Sequence, residues 1–235
     1  METLKDIHSI AIAELKKKFT LNPVSLTHPF PERPTKILFK PLIKMDGNIF
    51  SAEKFTRITF LRINLPVYMC VRSTFLRPRI ELDLPVMSAE CVIMGGKRMF
   101  MVDVHRTGEG ERPGDKEFFD RLVKIRDKYP DLLKNKTRTG GDQIQTVFSR
   151  AVCQAKITSA QDGEALKLFR EYLGEFCELA KSTKPLAGSS LEEANNKYAD
   201  YLKTVVDHDP GVKGYKMFFG EEGGVQRSME MFFNS

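Results

Sequence analysis

The chain has 235 residues, 37 of them Lys or Arg against 31 Asp or Glu, and 41% are hydrophobic, with 17 Phe, 10 Met and no Trp. That is enough apolar material for a sizeable core in one large domain or two small ones. No apolar run approaches the ~20 residues that span a bilayer, and the net charge of +6 admits nucleic acid, an anionic surface or an acidic protein as partner.

Residues 2–19 read as an amphipathic helix with Leu4, Ile7, Ile10, Ala11 and Leu15 on one side. Its acidic residues and broken apolar pattern set it apart from a signal or transit peptide. Pro23, Pro29, Pro31 and Pro34 then require an extended or looped chain. From Lys36 to His105 the texture changes to β-favouring runs: KILFKPLI, FTRITFLRIN, PVYMCVRSTF, LPVMSAECVIM and RMFMVDVH. Gly95-Gly96-Lys97 marks a hairpin between the last two. Five successive strands without intervening helices predict an antiparallel sheet.

Helical periodicity returns over 115–129 (Phe118, Phe119, Leu122, Ile125) and over 161–181 (Leu168, Phe169, Tyr172, Leu173, Phe176). A third helix over 190–208 opens with Ser190 and Glu193 at capping-box spacing and is stopped by Pro210-Gly211. No linker or repeat divides the chain. The expected fold is a single α/β domain over 1–235, a three-layer α-β-α sandwich with a central antiparallel sheet flanked by helices.

Familiar catalytic signatures are missing: no P-loop, no dinucleotide fingerprint, no H-E-x-x-H and no nucleophile elbow. Cys70, Cys91, Cys153 and Cys177 are scattered without a C-x-x-C pair, which argues for a reducing cytoplasm and against a zinc site or a dense disulfide framework. The basic clusters are short (Lys16 to Lys18; Lys134, Lys136, Arg138) and accompany no nucleic-acid module. Gly108-Glu109-Gly110 is a weak phosphate cradle. His8 and His28 read as surface residues, and His105, closing a strand, as structural. His208 stands beside Asp209 where a helix breaks, a position that the helix dipole alone accounts for.

Glu90 is the sharper oddity, a carboxylate inside an otherwise apolar or small run. Strand alternation groups it with Val86, Ser88, Val92 and Met94 on one mostly apolar face. A carboxyl group buried there resists ionising, and a raised pKa suits it to deliver protons near neutral pH.

The segment Asp209 to Tyr215 followed by Phe219-Gly220-Glu221 resembles the C-terminal signature of the ferredoxin-dependent bilin reductases. Ser73 to Pro78, and Leu84-Pro85 leading to Glu90, resemble that family's central strand pair, where an L-P dipeptide precedes a catalytic aspartate. Phe148-Ser149 followed by Lys156 is similar to the strand that supplies a basic residue to the substrate's propionates. The sequence departs in three places: Glu90 stands for the aspartate, Met87-Ser88-Ala89 for the preceding F-G, and Ser73 for the His of the phycocyanobilin-forming branch.

The resemblance implies an oxidoreductase that binds biliverdin IXα between the sheet and the C-terminal helices, with no bound cofactor or metal and with reduced ferredoxin as external electron donor. It implies Glu90, Asp209 and Ser73 as catalytic residues, and Lys156, Lys213, Met87 and Ser88 as substrate-binding residues. It gives the basic surface a use, since plant-type ferredoxins are acidic. Without an imidazole at Ser73, a four-electron product, phycoerythrobilin, is expected ahead of phycocyanobilin or another phytobilin. A monomer in the cytoplasm of a phototroph or of a phage-infected phototroph is expected, or in a plastid stroma. Haem oxygenase, the source of biliverdin, is a further candidate partner; nucleic acid and membrane are not expected. The alternatives are a non-catalytic bilin or haem carrier and a basic adaptor.

Overall fold

The computed structural model describes residues 2–27, 29–30, 32–34, 41–65, 69–108 and 115–233. His28, Glu109, Gly110 and the start of the first strand run lie outside the described residues. Eight described strands form one antiparallel sheet: β1 (Asn22–Pro23), β2 (Glu32–Pro34), β3 (Pro41–Ala52), β4 (Phe55–Leu65), β5 (Met69–Pro78), β6 (Val86–Met94), β7 (Lys97–His105) and β8 (Cys153–Thr158). Their order is β1-β3-β4-β5-β6-β7-β8, with β2 also pairing with β3. Gly95, at φ +58°, makes the β6–β7 turn in a left-handed conformation that costs glycine nothing. Strand β8, whose texture is too mixed to be read as a strand without the resemblance, extends the sheet beside β7.

Among the described residues seven α-helices complete the layers: α1 (Ile7–Lys16), α2 (Asp115–Arg126), α3 (Pro130–Leu133), α4 (Asp142–Gln145), α5 (Asp162–Ser182), α6 (Ser189–His208) and α7 (Pro210–Gly220). Wider, π-type turns follow over Glu221–Gln226 and Met229–Phe233. The 3.6-residue spacing of Leu166, Phe169, Leu173 and Phe176 gives α5 one apolar stripe, fully buried against the sheet with residues of α1 and α2. Each such side chain contributes roughly 1.5–3 kcal/mol by leaving water. Helices α4, α6, α7 and the C-terminal turns cover the opposite face. The fold is therefore a three-layer α-β-α sandwich with two separate apolar cores.

The parity of β6 assigns its residues to those cores. Met87, Ala89, Cys91 and Ile93 belong to the α1/α5 side, while Val86 belongs to the α6/α7 side. Cross-strand pairing lines up Gly47, Leu61, Ser73, Glu90, Met101 and Gln154 in one row on the α6/α7 side. The neighbouring row runs Met45, Ile63, Val71, Val92, Met99 and Lys156.

Three details differ from the sequence expectation. Helix α6 starts one residue earlier and is preceded by Gly188, with no side-chain cap; Glu193 pairs instead with Lys197 at 2.6 Å. Phe148 and Ser149 precede β8 rather than lying on it. His8 is a packed residue: its ring lies 5.4 Å from that of Phe60, and burial followed by the charge of Arg72 lowers its pKa to about 4.

Candidate active site

Two adjoining cavities open between the sheet and α6/α7. The outer, of about 200 Å³, has mostly apolar walls, among them Ile63, Val71, Met99, Phe148 and Phe218. The inner, of about 60 Å³, is bounded by Ser73, Ser88, His105, Tyr201 and Phe232. Glu90, Met101, Asp209, Gly211 and Tyr215 line both.

Asp209 owes its place to the α6–α7 junction. Pro210 has no N–H and a fixed φ, so it ends one helix and opens the next. Asp209 stands between them with extended backbone (φ −69°, ψ 125°) as the N-cap of α7. Its Oδ1 accepts from the N–H of Gly211 at 2.6 Å and of Val212 at 3.3 Å. These bonds fix the carboxyl at the cavity wall and favour its charged form, while burial acts more strongly and raises its pKa overall. Gly140, at φ +79°, packs beside Pro210, where an added Cβ would approach Pro210 Cγ to 3.3 Å. That contact sets the loop carrying Thr139 against the cavity mouth.

Glu90 lies on the sheet wall opposite α7. Burial first, and the negative charge of Asp209 second, push its carboxyl up to about 7. It can hold a proton near neutrality and release it without leaving the cavity. Tyr215 projects from α7 into the same space, its hydroxyl raised above the ordinary range by burial and then by Glu90.

A buried polar chain runs along the inner cavity. Ser88 Oγ lies 2.8 Å from His105 Nε2, and His105 Nδ1 lies 2.9 Å from the Tyr201 hydroxyl. Burial lowers the His105 pKa to about 4, so the ring is neutral at physiological pH. Beside it on β7, buried Asp103 accepts from Ser149 N at 2.8 Å and Ser149 Oγ at 2.5 Å, which ties the segment before β8 to the sheet.

The structure brings Glu90, Asp209, Ser73 and Ser88 to one cleft. Lys156 is exposed at the end of the row containing Met99, on the cleft face of the sheet, and has no ion-pair partner among the described residues. Lys213 is exposed on α7 and lines neither cavity. Met87 is a correction: three residues from Glu90, it points to the opposite face and is fully buried in the α1/α5 core, where no cleft ligand reaches it. His208 ends α6 without lining either cavity. His105 and Tyr201 are additions to the site. The alternation of Met99, Met101, Asp103 and His105 against Phe100, Val102 and Val104 along β7 is the signal that separates the mixed cleft face from the apolar one. Among the described residues no group of three or more His, Cys, Asp or Glu side chains could hold a metal ion, and no helix is long and apolar enough to cross a membrane.

The chain is similar to known proteins. A phycoerythrobilin:ferredoxin oxidoreductase of Prochlorococcus marinus (strain MIT 9312) is 22% identical over 188 residues, covering 76% of this chain and 74% of the relative. The crystal structure of tomato phytochromobilin synthase in complex with biliverdin superposes with a TM-score of 0.83 at 18% identity, over 98% of this chain and 82% of that one. The ferredoxin-dependent bilin reductase family matches residues 8–234, which takes in every described strand of the sheet and both cleft acids: the chain belongs to that family of oxidoreductases.

Proposed function

We propose that the chain reduces biliverdin IXα to a phycobilin with electrons taken singly from reduced ferredoxin, and that phycoerythrobilin is the product. The observation that carries this is the opening of Glu90 and Asp209 from facing walls into one largely apolar cleft. The tomato neighbour of the same fold holds biliverdin.

Ferredoxin delivers electrons without protons, so the protein must supply the protons. Each two-electron stage takes one electron from each of two reduced ferredoxins and two protons, and lowers the tetrapyrrole's count of carbon–carbon double bonds by one. Two stages consume four electrons and four protons and yield phycoerythrobilin. After each first electron the bilin radical is strongly basic, and a positioned acid speeds its protonation by roughly 10²–10⁴-fold. Glu90, with its carboxyl pushed up to about 7, is the sheet-side donor. Asp209, raised by burial and fixed by its cap bonds, is the donor on the α7 side. Ser73 faces Glu90 across the β5–β6 pair; its hydroxyl, standing where an imidazole would supply a further proton, supports the phycoerythrobilin assignment, as does the activity in the name of the Prochlorococcus relative. Lys156 at the open edge of the cleft pairs with a propionate of the bilin.

Anaerobic incubation of the protein with biliverdin and reduced ferredoxin tests the proposal. Loss of the biliverdin absorption with phycoerythrobilin as the product by chromatography is expected. Binding with no reduction would make the chain a carrier, and phycocyanobilin as sole product would overturn the product assignment alone.

A further inference from the structure

The inner cavity contains a hydrogen-bond chain whose direction follows from the chemistry of its two hydroxyl ends. A neutral imidazole has one N–H and one lone pair, so Ser88, His105 and Tyr201 can be arranged in two ways. In one, Ser88 donates to Nε2 and Nδ1–H donates to the Tyr201 oxygen. The Tyr201 hydroxyl proton is then left to find an acceptor, yet among the described residues its one hydrogen-bond partner is His105. The phenol is the more acidic of the two hydroxyls, hence the better donor and the poorer acceptor, which disfavours using it as the acceptor. In the other arrangement Tyr201 donates to Nδ1 and Nε2–H donates to Ser88 Oγ, the better acceptor of the two hydroxyls. The Ser88 hydroxyl proton is then the free end of the chain, on a residue that lines the inner cavity.

We infer that Ser88 is a hydrogen-bond donor to a carbonyl oxygen of the substrate in the inner cavity, with His105 and Tyr201 as positioning residues that keep it a donor. The inference rests on the bilin-reductase function proposed above: a bilin carries such oxygens on the lactam rings at its two ends, so the inner cavity takes one end ring. The chain polarises that carbonyl but is not a proton source. Passing a proton from Ser88 to the substrate would move one from Nε2 to Ser88 and one from Tyr201 to Nδ1, leaving a tyrosinate. Burial, with neighbouring Tyr198, Asp209 and Asp103 adding to it, holds the Tyr201 hydroxyl well above its ordinary pKa, so that state is not reached. The transferred protons come from Glu90 and Asp209, and the serine decides where the ring sits.

The test is resonance Raman spectroscopy and titration of biliverdin bound to the wild type and to Ser88→Ala, Ser88→Thr and Tyr201→Phe. Ser88→Ala is expected to raise the lactam carbonyl stretch and weaken binding about five- to tenfold, as loss of one hydrogen bond implies. Ser88→Thr keeps the hydroxyl and restores both. Tyr201→Phe frees Nδ1, lets the ring accept from Ser88, and raises the stretch while the Ser88 hydroxyl stays in place. Should Tyr201→Phe fail to fold, the Ala/Thr pair at Ser88 decides alone. An unchanged carbonyl band and affinity in Ser88→Ala, with wild-type stoichiometry, would overturn the donor assignment and leave the reductase function standing. A wild-type protein that binds no biliverdin would overturn both.

Discussion

Glu90 on β6 and Asp209 at the head of α7 open into the same cleft, and the charge of Asp209 adds to burial in holding a proton on Glu90. The proton on Glu90 therefore depends on Asp209, and variants of the two acids should report on that coupling.

Asp209→Asn keeps the shape and removes one proton. Biliverdin should bind and reduction should stall at a long-lived radical, seen by electron paramagnetic resonance. Glu90→Gln should also bind but stop at a different ring position, and Glu90→Asp, shortened by about 1.5 Å, should slow or redirect the step. If all three reduce biliverdin to the wild-type product at the wild-type rate, neither acid is a donor.

The coupling also has a pH signature. In Asp209→Asn the charge that helps raise Glu90 is gone, so Glu90 loses its proton at lower pH. In whatever reduction that variant retains, the alkaline fall in single-turnover rate should begin at lower pH than in the wild type, across a scan from about pH 5.5 to 9. A shift to higher pH would contradict the coupling.

Glu90 should lower stability above its unfolded pKa. Its folded pKa is about 7 against an ordinary 4.5, so the folded protein retains a proton that the unfolded chain releases. Stability therefore falls as pH rises between those values. Glu90→Gln has no such loss, and its Tm advantage over the wild type should be larger at about pH 8 than at about pH 5, each kcal/mol appearing as about 2–4 °C.

Gly211→Ala should perturb the cap. A Cβ there would lie 2.8 Å from Asp209 Oδ1 and 4.0 Å from Glu90 Oε2. Displacing the carboxyl costs about 1 kcal/mol of cap stabilisation, and kcat should fall more than biliverdin affinity. Equal loss of both would place the effect in general misfolding.

Turnover at limiting ferredoxin should fall as salt rises from about 0.05 to 0.5 M, because screening shortens the reach of the basic surface to less than about 10 Å. Biliverdin affinity should change less, and equal sensitivity of both would mean that the charge has another use.

The sequence alone was sufficient for the layers and for two of the cleft residues. Alternation along β6 put Glu90 with Ser88 and Val92, and the Pro210 break exposed Asp209, because both are local effects of a two-residue strand period and of a missing N–H. The same alternation places Met87 on the far side, three positions from Glu90; family spacing, which ignores parity, brought it to the cleft. The polar chain was not legible. His105 meets Ser88 across 17 residues and Tyr201 across 96, and a histidine at a strand end looks the same whether or not a helix later supplies a tyrosine. The placement of Lys156 beside Met99 on the cleft face of the sheet likewise required the β7–β8 register. Strand faces and helix stops follow from residues a few positions apart, whereas a site closed by α6 and α7 over the sheet depends on contacts that only the packed layers create.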